Sequence, residues 1–61
     1  MKPLAIPPKD AFKAIGVGTT LGYELLAAGE LESFTIGRAR RITTASIEAF
    51  ISRRLSEQQA A

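Results

Sequence analysis

Prolines and glycines divide this chain into short pieces, and their positions constrain its fold more than any other feature. Pro7-Pro8 can open a helix but cannot lie inside one: proline fits a first turn, and the residue before a proline prefers extended geometry. The spacing therefore predicts a first helix from near Pro8 through Ile15, with Ala11, Phe12 and Ile15 on one face. Gly16 stands where a left-handed cap ends a helix. Gly16-Val17-Gly18 is then a tight turn with one apolar plug, Val17. A second helix runs from Thr19 or Thr20 to Ala28 and is closed by Gly29. At about 100° per residue, Leu25 and Leu26 share its inner face with position 22. Thr20, Glu24 and Ala27 point away, flanked by Leu21 and Tyr23.

Beyond Gly29 the period changes. Phe34 and Ile36 alternate with Ser33 and Thr35, Gly37 allows a turn, and Ile42 closes a second strand. Residues 35–42 thus form a hairpin whose tip and outgoing strand carry Arg38, Arg40 and Arg41. Thr43 or Thr44 can cap a third helix. In that helix Ile47, Phe50, Ile51 and Leu55 recur at i, i+3, i+4 and i+8 as an inward stripe. Arg53 and Arg54 fall in its last turns, where cations suit the helix dipole, and residues 56–61 read as a frayed tail. Phe12, Leu25, Leu26, Phe34, Ile36, Ile42, Ile47, Phe50 and Ile51 are the expected core. The class is α+β, mainly α: a small winged helix-turn-helix with a two-stranded wing and a C-terminal helix. It makes one domain over residues 1–61, with an ordered core of about 6–55.

Composition narrows what such a domain can do. A chain of 61 residues buries only about 60 % of its unfolded surface. With no cysteine and no histidine, disulfides, Cys/His zinc sites and the usual nucleophile–base pairs are excluded. The few carboxylates lack the clustering of an acid/base pair, and Gly16-Val17-Gly18 follows a helix with no lysine after it, unlike a phosphate loop. No enzyme, cofactor, metal or small-molecule substrate is expected. No run approaches the roughly 18 apolar residues that span a bilayer. Pro3, Pro7, Pro8, Lys9 and Asp10 interrupt any signal-peptide core, so a cytoplasmic protein is expected.

The formal net charge of +2 hides an asymmetry. Residues 1–37 carry Lys2, Lys9 and Lys13 against Asp10, Glu24, Glu30 and Glu32, a balance of −1. Residues 38–61 carry five arginines against Glu48 and Glu57, a balance of +3. Arginine's planar fork suits phosphates and base edges.

The stretch Ala14–Ile42, followed by Ala45–Ile51, resembles the excisionase-type DNA-binding domains, small winged helix-turn-helix proteins related to the DNA-binding domain of MerR regulators. The resemblance rests on Gly16-Val17-Gly18, Thr20, Tyr23-Glu24-Leu25-Leu26-Ala27 and Gly29-Glu30-Leu31. It continues through Ile36-Gly37-Arg38, Arg40-Arg41-Ile42 and Ile47-Glu48-Ala49-Phe50-Ile51, covering about residues 6–52. It implies a recombination directionality factor, not an enzyme, that binds double-stranded DNA cooperatively and bends it. Such a factor helps a tyrosine integrase to excise a prophage or integrative element. Copies would self-associate side by side on the DNA. A small transcription regulator of a mobile element is the alternative, and a protein-interaction adapter built on a degenerate winged helix is another.

On this resemblance the second helix enters the major groove and offers Thr19, Thr20, Tyr23 and Glu24. Thr19 and Leu21 stand where relatives are often basic, so this helix brings almost no positive charge. Gly22 replaces a larger apolar residue, which costs about 1 kcal/mol of propensity and removes a core side chain. Attraction to phosphate must then come from the wing, where the family pattern favours Arg38 and Arg40. Arg41, on the opposite face of the strand, packs its stem over Phe34 or pairs with Glu48. Either threonine could instead cap the helix, and Tyr23 could lie against the wing. Glu24 could accept from a cytosine amino group or anchor a wing arginine. Lys9 and Lys13, at i and i+4, could touch phosphates or form a solvated face.

Overall fold

The computed structural model describes residues 3–60. The chain runs β1 (Ala5–Ile6), α1 (Pro8–Ile15), α2 (Thr19–Ala27), β2 (Ser33–Ile36), β3 (Ala39–Thr43) and α3 (Thr44–Ala60). This is the expected winged helix-turn-helix with one strand more. α1 starts at the second proline behind an extended Pro7 and ends at Gly16, whose φ is 73°. There the Val17 N–H donates to the Phe12 carbonyl at 3.0 Å. α2 ends a residue earlier than expected, and Gly29, at φ 78°, turns the chain out of it. The Glu30 N–H closes that end on the Leu25 carbonyl at 2.9 Å.

The additional strand is β1, which makes the wing part of a three-stranded antiparallel sheet of order β1-β3-β2. Ala5 pairs with Thr43 and Ile6 with Ile42. The Thr44 N–H and hydroxyl both donate to the Leu4 carbonyl, at 2.9 and 3.2 Å, and the same hydroxyl lies 3.0 Å from the Pro3 carbonyl. Thr43, not Thr44, caps α3: its hydroxyl oxygen accepts the Ser46 N–H at 3.2 Å.

Ala11, Phe12, Leu25, Leu31, Ile42, Ile47 and Phe50 form the core, with Ile6, Ile15, Val17 and Leu26 packed around it. α1 packs against α2, α3 and β3, and β3 against α1, α3 and both other strands. No helix among the described residues is long and apolar enough to cross a membrane.

Three expectations about the core are corrected. Phe34 and Ile36 alternate as read, but they face outward. Ser33 pairs with Ile42, so Ser33 and Thr35 share the face of the fully buried Ile42, while Phe34 and Ile36 take the other. Ile51 and Leu55 are also exposed, outside the cluster that buries Ile47 and Phe50 on the same helix. The tail expected to fray is helical as far as Ala60, residue 61 lying outside the described residues. Arg53 and Arg54 are therefore not in a last turn.

The third correction concerns Gly22. Position 22 does not lack a core side chain, because the Phe12 ring fills the space. A Cβ there would stand 2.5 Å from Phe12 Cδ1 and 2.6 Å from Cγ and Cε1, closer than carbon atoms approach. The glycine lets the ring lie on the backbone of α2.

Candidate nucleic-acid interface

Among the described residues there is no pocket and no group of acidic side chains fit to hold a metal ion, so the candidate site is a surface. It has two parts, the outward side of α2 and the hairpin formed by β2 and β3.

On α2, Thr19, Thr20, Tyr23 and Glu24 are all exposed, as the helical period requires. Neither threonine caps the helix. The N-cap is Gly18, extended at φ −77° and ψ 173°, and no side chain bonds to the first turn. The leading N–H groups of α2 therefore have no intrahelical acceptor and stay open beside two free hydroxyls. Tyr23 does not lie on the wing. Its ring meets that of Phe12 edge to face, with centroids 5.2 Å apart and planes at 79°. This contact holds the phenol at the rim of the helix.

In the hairpin, Gly37 has φ 61° at the first position of a two-residue turn, the conformation that a tight antiparallel hairpin asks of glycine. Arg38 follows in the turn and is exposed. Thr35 pairs with Arg40 and Phe34 with Arg41, so the two neighbouring arginines leave the sheet on opposite faces. Arg40 is exposed. Arg41 is half-buried across from Phe34, and its Nη1 donates to the Arg40 carbonyl at 2.8 Å. Among the described residues no carboxylate pairs with Arg38, Arg40 or Arg41. Lys9 and Lys13 lie exposed on one flank of α1, without an ion pair among those residues.

The other two arginines of the basic half are engaged elsewhere. Arg53 Nη2 sits 3.4 Å from Glu30 Oε1 and donates to the Glu30 carbonyl at 3.0 Å. Arg54 Nη2 sits 3.1 Å from Glu30 Oε2, with its guanidinium carbon 5.2 Å from the centre of the Phe50 ring. One carboxylate thus ties the turn after α2 to the middle of α3. Nothing in the sequence pairs residues 23 positions apart, so the sequence assigned these arginines to the helix dipole instead.

Glu30→Ala is expected to cost about 1 kcal/mol in a urea titration, the upper range for exposed ion pairs, because two guanidiniums share the carboxylate. The deficit should shrink in about 1 M salt, where the Debye length is about 3 Å. A deficit that salt leaves unchanged would assign the cost to packing rather than charge.

A curated relative, named "Probable excisionase", from Saccharopolyspora erythraea, is 43 % identical over 53 residues, which cover 87 % of this chain and 54 % of the relative. Over most of its own length the chain is similar to that excisionase. It spans about half the length of the curated relative it matches. No family model and no solved structure gives a significant match. The match takes in most of this chain, and it leaves the role of each surface residue to be derived from the geometry.

Proposed function

We propose that this domain is a sequence-specific, DNA-binding architectural factor that promotes integrase-mediated excision of a prophage or integrative element. The observation that carries the proposal is the division of the arginines. Two are paired with carboxylates, both with Glu30 and Arg54 also with Glu57, while the three on the hairpin stand without a carboxylate partner among the described residues.

In this reading α2 lies in the major groove. Thr19 and Thr20 donate to backbone phosphate beside the open N–H groups of the first turn, where the positive end of the helix dipole also favours an anion. Tyr23, braced by Phe12, reaches the groove wall, and Glu24 accepts from a cytosine amino group. Glu24 repels phosphate, so it fixes register rather than adding grip. The grip comes from the wing: Arg38 and Arg40 approach an adjacent minor groove, with Arg41 behind them and Lys9 and Lys13 as outlying phosphate contacts.

A module of this size covers only about 600–1,000 Å² of protein surface on DNA, so one copy binds modestly. Several copies side by side, bending the DNA together and working with a tyrosine integrase in the cytoplasm, supply the occupancy. The test is an excision reaction with integrase on attachment-site DNA, with and without this protein. Stimulated excision together with a bent DNA product is the expected result. Promoter repression with no effect on excision would assign the domain to transcription control. A partner complex indifferent to salt, with no DNA bound, would make it an adapter.

A further inference from the structure

Apart from Arg41, the outer face of the hairpin has no role in the phosphate contacts above, and it is apolar up to the tip. Ile36 is 67 % exposed and Phe34 42 %. The cause is the register: opposite Ile36 stands Ala39, too small to cover it. Opposite Phe34 stands Arg41, whose guanidinium is turned back onto the Arg40 carbonyl and so held near the sheet.

Ile36 also directly precedes the Gly37-Arg38 turn, so this aliphatic side chain stands at the end of the finger. The surroundings say what can cover it. From Ser33 to Ile47 the sequence contains no acidic residue and three arginines, so the occupant should be a polyanion with apolar surface to offer. Duplex DNA has both: phosphates along the groove edges, sugar walls within, and base faces where a step is opened. A hairpin tip entering a groove turns one face to each wall. Thr35 and Arg40 occupy one face, and Ile36 with Ala39 the other.

We propose that Ile36 is an apolar wedge that enters the minor groove beside Arg38, opens a base step and supplies much of the bend. The inference rests on the DNA-binding reading above and adds to it the residue that deforms the duplex. Apolar side chains inserted between base steps unstack them and kink DNA toward the major groove. The cost is least at TA and CA/TG steps, so selected sites should carry one where the wing lands.

The test uses the full chain with duplexes selected from random DNA. Affinity is measured across a salt series, the bend by end-to-end fluorescence transfer, and self-association by sedimentation. Ile36→Ala should lose about tenfold in affinity and most of the bend. The salt slope should stay unchanged, because no phosphate contact is removed. Ile36→Leu, which keeps the apolar bulk, should bind and bend nearly as the unmodified chain does. Thermal melting of both variants checks that each is folded.

Unchanged affinity and bend in Ile36→Ala would overturn the wedge while leaving DNA binding intact. So would a loss of self-association without DNA as the only effect, since a second copy would then be the occupant. An unmodified chain that binds no duplex at any salt would remove the DNA reading and the wedge with it.

Discussion

Alanine at both Arg38 and Arg40 is expected to reduce duplex affinity at least about 100-fold while leaving the melting temperature unchanged. Two charge-assisted hydrogen bonds, at about 1.5–3 kcal/mol each, set the size of the loss. The stability half follows from their surroundings: both side chains are exposed, and no carboxylate among the described residues relies on them. Surface substitutions of that kind stay within about 0.5 kcal/mol. Salt supplies a second readout. Each phosphate contact contributes about −0.9 to the log–log slope, so a wing making about three contacts gives about −3 and the double variant about −1. Arg53→Ala with Arg54→Ala serves as the control. It removes the same formal charge from a place where Glu30 and Glu57 together offset it, and it should leave the slope nearly unaltered. Binding by R38A/R40A equal to that of the unmodified chain would end the assignment of the wing.

Gly22→Ala is expected to destabilise the fold by about 2 kcal/mol, opposite in sign to what helix propensity alone gives. Alanine in place of glycine should add about 1 kcal/mol to a helix interior. Here the new methyl would stand 2.5–2.6 Å from three atoms of the Phe12 ring. Overpacking costs typically about 1–3 kcal/mol, and three contacts this short place it near the upper end, about 3 kcal/mol against the gain of about 1. Phe12 is only 3 % exposed and Tyr23 is packed edge-on against it, so the ring has little room to yield. Its Cγ, close to the backbone, is among the clashing atoms, and a rotation of the ring alone cannot clear it. We therefore expect the steric term to exceed the propensity gain. For a domain of this size each kcal/mol moves the melting temperature by about 4–8 °C, so a fall of about 8–16 °C should be seen by circular dichroism. Phe12→Leu should lessen the effect of Gly22→Ala, because the ring itself is the obstacle. A Gly22→Ala variant that melts higher than the unmodified chain would contradict the packing described.

How far the sequence reveals this molecule depends on the range of the interaction involved. α1 is legible to the residue because proline and glycine act on their own backbone, at Pro8 and at Gly16. The turn at Gly37 is local for the same reason, and so is the cap of α3, which the sequence leaves between Thr43 and Thr44. β1 is not legible: two residues carry no periodicity, and their partners lie far along the chain in β3. The alternation in β2 shows that its side chains divide between two faces. Which face is buried depends on Ser33 opposing Ile42, a fact of register. The stripe on α3 is real as a pattern, but burial stops after Phe50. In the candidate site, the arginines of the wing were legible from charge and from Gly37. The freedom of those arginines, and the engagement of Arg53 and Arg54, depend on Glu30 arriving from elsewhere in the chain.

The seam between β1 and β3 has a consequence for how the protein must be handled and how it folds. Leu4 and Thr44 are 40 positions apart, so the first strand closes a loop around both early helices before the hairpin is fastened at its base. Such distant closure gives no return until most of the chain has collapsed, which raises contact order and disfavours piecemeal assembly. A peptide of β2 and β3 alone would be a two-stranded hairpin of marginal stability. Removing the residues before α1 should likewise loosen the base of the wing, so truncation or fusion that disturbs this end would weaken the grip on a ligand bound at the opposite end of the hairpin.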